Sequence, residues 1–338
     1  MTRRRVVLLL PGQGAQRVRM AAGLHGVQPE FTRWMDEMFT VLGADGDRLR
    51  DVWLDPGSAG AVDEAVVAQP LLFAVGHALG RAVRSAAGAP DVLLGHSVGE
   101  LVAACLADVF APAELATAMA GHVRRLDDTG RGGMLAVAAT AEELSAELRT
   151  GAVVAADNGP RQTVLAGSDS VLAAVRGQLE RRDITLRTLG SGHAFHSPAM
   201  VPAARRFGQD LGRLRPGPPR ATIMSTRTAR PVSAEEAVDP AFWADQISLP
   251  VRYWPALRSL LDSEGLDPGL VLLDASADRS LAVAARGHRA VLRGPSSVHP
   301  LLARSDRAGT AADAEAFAAA VAVLRTGTWR TGTWRTGT

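Results

Sequence analysis

The chain has 338 residues, 47% of them hydrophobic, enough for a well-buried core in one large or two unequal domains. Its 37 basic residues are all arginine, against 35 acids, for a net charge of +2. The lack of lysine excludes Schiff-base chemistry and the lysine-dependent phosphate loop, and the single Cys105 excludes an internal disulfide or a cysteine-based zinc cluster and suits a reducing cytoplasm.

In chain order, the apolar run VVLLL (6–10) reads as a buried strand, too short for the core of a signal peptide, and it runs into the glycine-rich turn PGQGAQ. The stretch 65–83 has the apolar density of a core helix, and DVLLGHSVGELVAACLADVF reads as strand, sharp turn and helix. Two strand-turn units in the first hundred residues predict a parallel α/β core. From about residue 132 the pattern changes. GGMLAVAA predicts a strand, TAEELSAELRT a helix opening on a Thr-x-x-Glu capping box, GAVVAADNGP and RQTVLAGS two strands, DSVLAAVRGQLERR a helix and ITLRTL a last strand. That β-α-β-β-α-β order is ferredoxin-like. The expected organisation is therefore a large α/β subdomain from 1–131 and 190–310, a small inserted subdomain at 132–189, and a C-terminal helix within 311–338 followed by a disordered RTGTW-repeat tail. No segment reads as a membrane span, and arginines scattered among acids with 4% aromatics give no nucleic-acid surface.

The chemistry centres on GHSVGE (95–100), a Gly-x-Ser-x-Gly turn that would hold Ser97 at the head of a helix. An activated serine needs a base and two donors for an oxyanion. The elbow supplies the Val98 N–H by construction, and Gln13, flanked by glycines in GQG, is the natural second donor. Among eight histidines, His25, His77, His288 and His299 lie in ordinary contexts, and His96 sits on the elbow itself. His193 and His196 share the loop GHAFHSPAM at the return from the small subdomain, and the residues alone leave either as the base.

PGQGAQ, GHSVGE, NGP (158–160), HAFHSPAM and FWADQISLPVRYW, in this order over about residues 5–305, together resemble the malonyl-CoA:acyl-carrier-protein transacylase family, including the acyltransferase domains of polyketide synthases. The resemblance implies a large α/β-hydrolase-like core with a ferredoxin-like insert. It makes Ser97 the nucleophile, His196 its base, Gln246 the residue whose backbone carbonyl orients that histidine, and Gln13 with Val98 the oxyanion hole. His122, Asn158, Phe195 and His193 would line the acyl pocket. It implies ping-pong transfer without a metal or redox cofactor, the acyl group arriving on the phosphopantetheine of a carrier protein or on CoA. The partners would be donor and acceptor carrier proteins and the enzyme a monomer. Arg124, Arg125, Arg131, Arg304 and Arg307 are candidates for docking an acidic carrier.

One departure is informative. Members of this family that load malonyl or methylmalonyl units carry, 25 residues after the serine, an arginine that forks the free carboxylate; here that position is His122. The expected substrate is therefore an acyl group without a free carboxylate, an aminoacyl or dipeptidyl starter unit as moved by discrete VinK-type acyltransferases of macrolactam pathways. A malonyl transacylase, in which Arg125 takes the carboxylate, and an editing acyl-carrier-protein hydrolase are the alternatives. DASADRS (274–280) also departs from the Gly-Pro turn usual in the family.

Overall fold

Strands with continuous rather than alternating apolar runs need both faces covered, and the first strand shows why: Val7 to Leu10 are fully buried. The computed structural model describes residues 4–304 and 310–326. Its strands are β1 (Arg5–Leu10), β2 (Val92–Gly95), β3 (Gly133–Val137), β4 (Val153–Gly159), β5 (Gln162–Gly167), β6 (Leu186–Leu189), β7 (Thr222–Met224), β8 (Leu270–Asp274) and β9 (Ser297–Pro300). Five of them form a parallel sheet in the order β7-β2-β1-β8-β9, with separate apolar clusters on its two sides. The register pairs Leu10 with Gly95, so β1 and β2 end side by side and the turns that follow them meet. Loops at the carboxyl ends of parallel strands are where such sheets carry their sites.

The other four strands form an antiparallel sheet in the order β4-β5-β3-β6, the arrangement expected of a ferredoxin-like insert. The Asp169–Arg181 helix packs on it, opened by the Ser168 hydroxyl accepting from the Val171 N–H. The Thr-x-x-Glu box forms reciprocally: Thr140 N–H donates to the Glu143 carboxylate at 2.7 Å and Glu143 N–H to Thr140 Oγ1 at 3.2 Å. The helix it was expected to open is nonetheless only Ser145–Leu148: residues 141–144 form turns, and Gly151, at φ 101°, turns the chain toward β4.

The Ala65–Ala87 helix is long and apolar enough to cross a membrane by length and composition, although none was read from the sequence. It is a core helix: 83% of its most apolar window is buried inside the protein. His77 on this helix is fully buried between Trp34 and Phe73, as core packing. Cys105 is buried as well, and burial pushes its thiol pKa up, which keeps it inert. The helix Thr310–Thr326 closes the described chain and takes in the first two residues of the RTGTW repeats; Arg307 and the rest of the repeats, 327–338, lie outside the described residues.

The small sheet is tied to the large subdomain beside the site. Asp157 N–H donates to the Val251 carbonyl and Val251 N–H to the Ala155 carbonyl, both at 2.8 Å. This clips the end of β4 to the segment that follows Gln246.

Candidate active site

The turn from β2 into the Val98–Leu106 helix forces Ser97 to φ 53° and ψ −120°, a conformation costly for a side-chain-bearing residue. The surroundings over-determine it. A Cβ on Gly99 would lie 2.3 Å from the Leu10 carbonyl oxygen, and one on Gly12 2.6 Å from the His96 carbonyl oxygen, so only glycines let β1, its turn and the elbow approach this closely. Glu100, 2% exposed, accepts from Thr226 Oγ1 at 2.7 Å and Thr226 N–H at 3.1 Å, while Thr226 Oγ1 also lies 3.0 Å from the Gly95 carbonyl. Burial raises this carboxyl's pKa; its role is to pin the elbow.

Ser97 Oγ lies 2.9 Å from His196 Nε2. His196 Nδ1 faces two carbonyls, Gln246 at 2.8 Å and Leu249 at 3.0 Å, so Nδ1 carries the proton and Nε2 is left to accept from the serine. His196 itself is at φ 58°, held by its N–H donating to the Ile247 carbonyl. Burial, reinforced by the neighbouring His96 imidazole, lowers the His196 pKa to about 4. Val98 is the first residue of its helix, where N–H groups lack intrahelical partners and the dipole favours negative charge. The Gln13 turn lies against the same elbow through Gly12.

Ser97 and His196 open into a cavity of about 720 Å³ including its mouth, lined also by Val98, Met119, His122, Asn158, Phe195 and Phe207. Among the described residues, no arginine, aspartate or glutamate lines it. His122 is 4% exposed, packs on the Phe207 ring at 4.5 Å and has a pKa lowered to about 4, mainly by burial and then by the fields of Arg125 and Arg206. It is a neutral imidazole at neutral pH. Arg125 does not line the cavity; its guanidinium is ion-paired with Asp210. A second cleft of about 600 Å³ shares Gln13, His96, Asn158, Val164 and Leu189 with the first and continues outward between the subdomains to Arg187, Asp278 and Ser280.

The acyl transferase domain family model matches residues 7–322. The chain belongs to the acyl transferase domain family. It is 32% identical over 284 residues to a phenolphthiocerol/phthiocerol polyketide synthase of Mycobacterium tuberculosis, covering 84% of this chain and 19% of that protein. The chain thus spans about a fifth or less of the length of the curated relatives it matches most strongly. Among solved structures it is similar to the acyl transferase domain of SpnD, in complex with a 2-(pent-4-yn-1-yl)malonyl group: TM-score 0.85, 30% identity, 95% of this chain and 76% of that one. It is also similar to a loading acyltransferase from the avermectin modular polyketide synthase: TM-score 0.79, 27% identity, 95% and 99% coverage. The mixed α/β fold, a parallel sheet with a small antiparallel one, is the fold of these domains.

The structure brings Ser97, His196, Gln13, Val98, Gln246, His122, Asn158 and Phe195 to one cavity. It does not bring His193 there: that ring lies 3.1 Å from Thr129 Oγ1 and edge-on to Phe195, because Ala194 and Phe195 turn the loop between the two histidines. Asn158 lies within β4 and accepts from His96 Nε2 at 2.8 Å, a bond between the small subdomain and the elbow. Of the arginines considered for docking, Arg124 is ion-paired with Asp45, while Arg131 and Arg304 are exposed, Arg131 on a groove with Ser191 and Gly192. The DASADRS segment is a loop built on Asp274, whose buried carboxylate accepts from Ser276 N–H and Oγ and from Ala282 N–H.

Several lining residues carried no signal that singled them out. Gln69 donates its amide to Gln13 Oε1 at 3.1 Å, and its only mark in the sequence is to be a lone glutamine in the first, otherwise apolar half of its helix. Phe207 and Arg187 come from a helix and a strand that do not mark them as cavity residues, and they reach the two clefts only through the fold.

Proposed function

We propose that this domain moves an acyl group without a free carboxylate, of the aminoacyl or dipeptidyl starter kind, between carrier proteins through an ester on Ser97. The observation that carries this reading is the charge-free lining of the cavity, with the neutral His122 where a carboxylate-binding arginine would stand and Arg125 held by Asp210. A buried, unpaired carboxylate is strongly disfavoured in such a lining.

His196 Nε2 takes the hydroxyl proton as Ser97 Oγ attacks the thioester carbonyl of the phosphopantetheine-bound donor. The oxyanion falls to the N–H groups of Val98 and Gln13. The Gln246 and Leu249 carbonyls keep Nδ1 protonated and the ring in register, so the imidazolium returns its proton to the departing thiol. The acceptor carrier's thiol then attacks the ester by the same route, which makes the reaction ping-pong. The outward cleft between the subdomains suits the pantetheine arm. No step calls on a metal or redox group.

One observation favours a second reading, a malonyl loader. Arg206 Nη2 is buried without a partner among the described residues, and its field reaches His122. A transfer assay with malonyl-CoA and with aminoacyl- and dipeptidyl-carrier protein separates the two. The expected result is transfer from the loaded carriers, little from malonyl-CoA, and at least ~10-fold faster malonyl acylation in His122→Arg, which restores the guanidinium fork. Efficient malonyl transfer that is lost in Arg206→Met contradicts the proposal, and release of free acid without an acceptor marks an editing hydrolase.

A further inference from the structure

The cavity beside Ser97 carries no charge, yet it is not apolar. Gln246 is 7% exposed and lines it, and neither Nε2 nor Oε1 of its side-chain amide has a partner among the described residues. His122, 4% exposed, lines the same cavity with Nε2 equally unpartnered. Gln13 adds a fourth such atom, Nε2, its Oε1 being engaged by Gln69. Buried polar groups in native proteins are almost always hydrogen-bonded, so a cluster of unpaired ones around a cavity points to what the cavity receives.

We propose that the acyl chain carries an uncharged amide in this cavity, read by the Gln246 carboxamide with His122 Nε2 as a second partner. A carboxamide offers one donor face and one acceptor face, the complement of a peptide group. An alkyl chain leaves all these atoms unpaired. A carboxylate would need a cation, and none lines the cavity among the described residues. Gln246 then acts twice: its main-chain carbonyl positions His196, and its side chain selects the acyl group. This inference rests on the transfer of acyl groups without a free carboxylate proposed above, and it names their recognition element.

The test is kcat/KM for transfer from carrier protein loaded with 3-acetamidopropanoyl or with the chain-length-matched hexanoyl group, by wild type and Gln246→Leu. That substitution keeps the main-chain carbonyl, and any disturbance of His196 slows both substrates alike, so the ratio isolates the side chain. The wild type is expected to prefer the amide by ~10-fold or more, and Gln246→Leu to bring the ratio near one. Equal use of both groups by the wild type, or a ratio untouched by Gln246→Leu, overturns amide recognition and leaves the transferase intact. Transfer of neither group overturns both.

Discussion

A base that must be neutral to work gains from being hard to protonate, and His196 is built that way. Its burial and the adjacent His96 lower its pKa to about 4, while two carbonyls fix the tautomer. The pH profile of Ser97 acylation should accordingly stay flat from pH 8 down to about 5 and fall with an apparent pKa near 4; an inflection near 6.5 would mean a solvated base. His196→Ala should cost ~10²- to 10⁴-fold in kcat/KM. Ser97 was legible in the sequence because its elbow is a local pattern. The choice between His193 and His196 was not, since both stand in one loop and only the turn at Ala194 and Phe195 decides which faces the serine. The orienting carbonyl of Gln246 came only with the family resemblance, and that of Leu249 was missed, because main-chain roles are announced by no side-chain pattern.

At the scale of elements, the site depends on two turns meeting where β1 and β2 end in register. Gly99→Ala drives a Cβ against the Leu10 carbonyl, and neither backbone can yield without shifting the elbow. It should destabilise the protein by about 1–3 kcal/mol or more in urea unfolding and lower acylation as well, because Ser97 moves with the turn. An unchanged unfolding midpoint would show that the elbow has slack. The β-α-β-β-α-β order of the insert could be read from periodicity because each of its strands has its own apolar run. The length of its first helix could not: the capping box at Thr140 and Glu143 closes only a turn, and the helix begins at Ser145 and ends before Gly151.

The whole molecule should sense pH through buried groups. Folding holds His77, His122 and His196 at pKa values of about 3, 4 and 4, while the unfolded chain titrates near 6.5. Below about pH 6.5 the unfolded state therefore binds more protons, and stability falls as pH drops toward 4, by about 1.4 kcal/mol per pH unit for each such group. Asp274, raised to about 6, and Glu100, also raised, act in the opposite sense above the ordinary carboxylate range and offset part of the slope. In His77→Leu, away from the cavity, the slope of unfolding free energy between pH 6 and 4 should flatten by one such group; an unchanged slope would contradict the assignment. The cleft was legible only as a place between two subdomains. Its lining draws Met119, Phe207 and Gln69 from three distant helices, and that convergence belongs to tertiary packing.

The most direct test of the central claim is intact-protein mass spectrometry of wild type and Ser97→Ala after incubation with dipeptidyl-carrier protein and, separately, malonyl-CoA. The account predicts a wild-type mass gain equal to the dipeptidyl group, absent in Ser97→Ala and discharged when a second carrier protein is added. A stable gain from malonyl-CoA alone, or one that persists in Ser97→Ala, would contradict it.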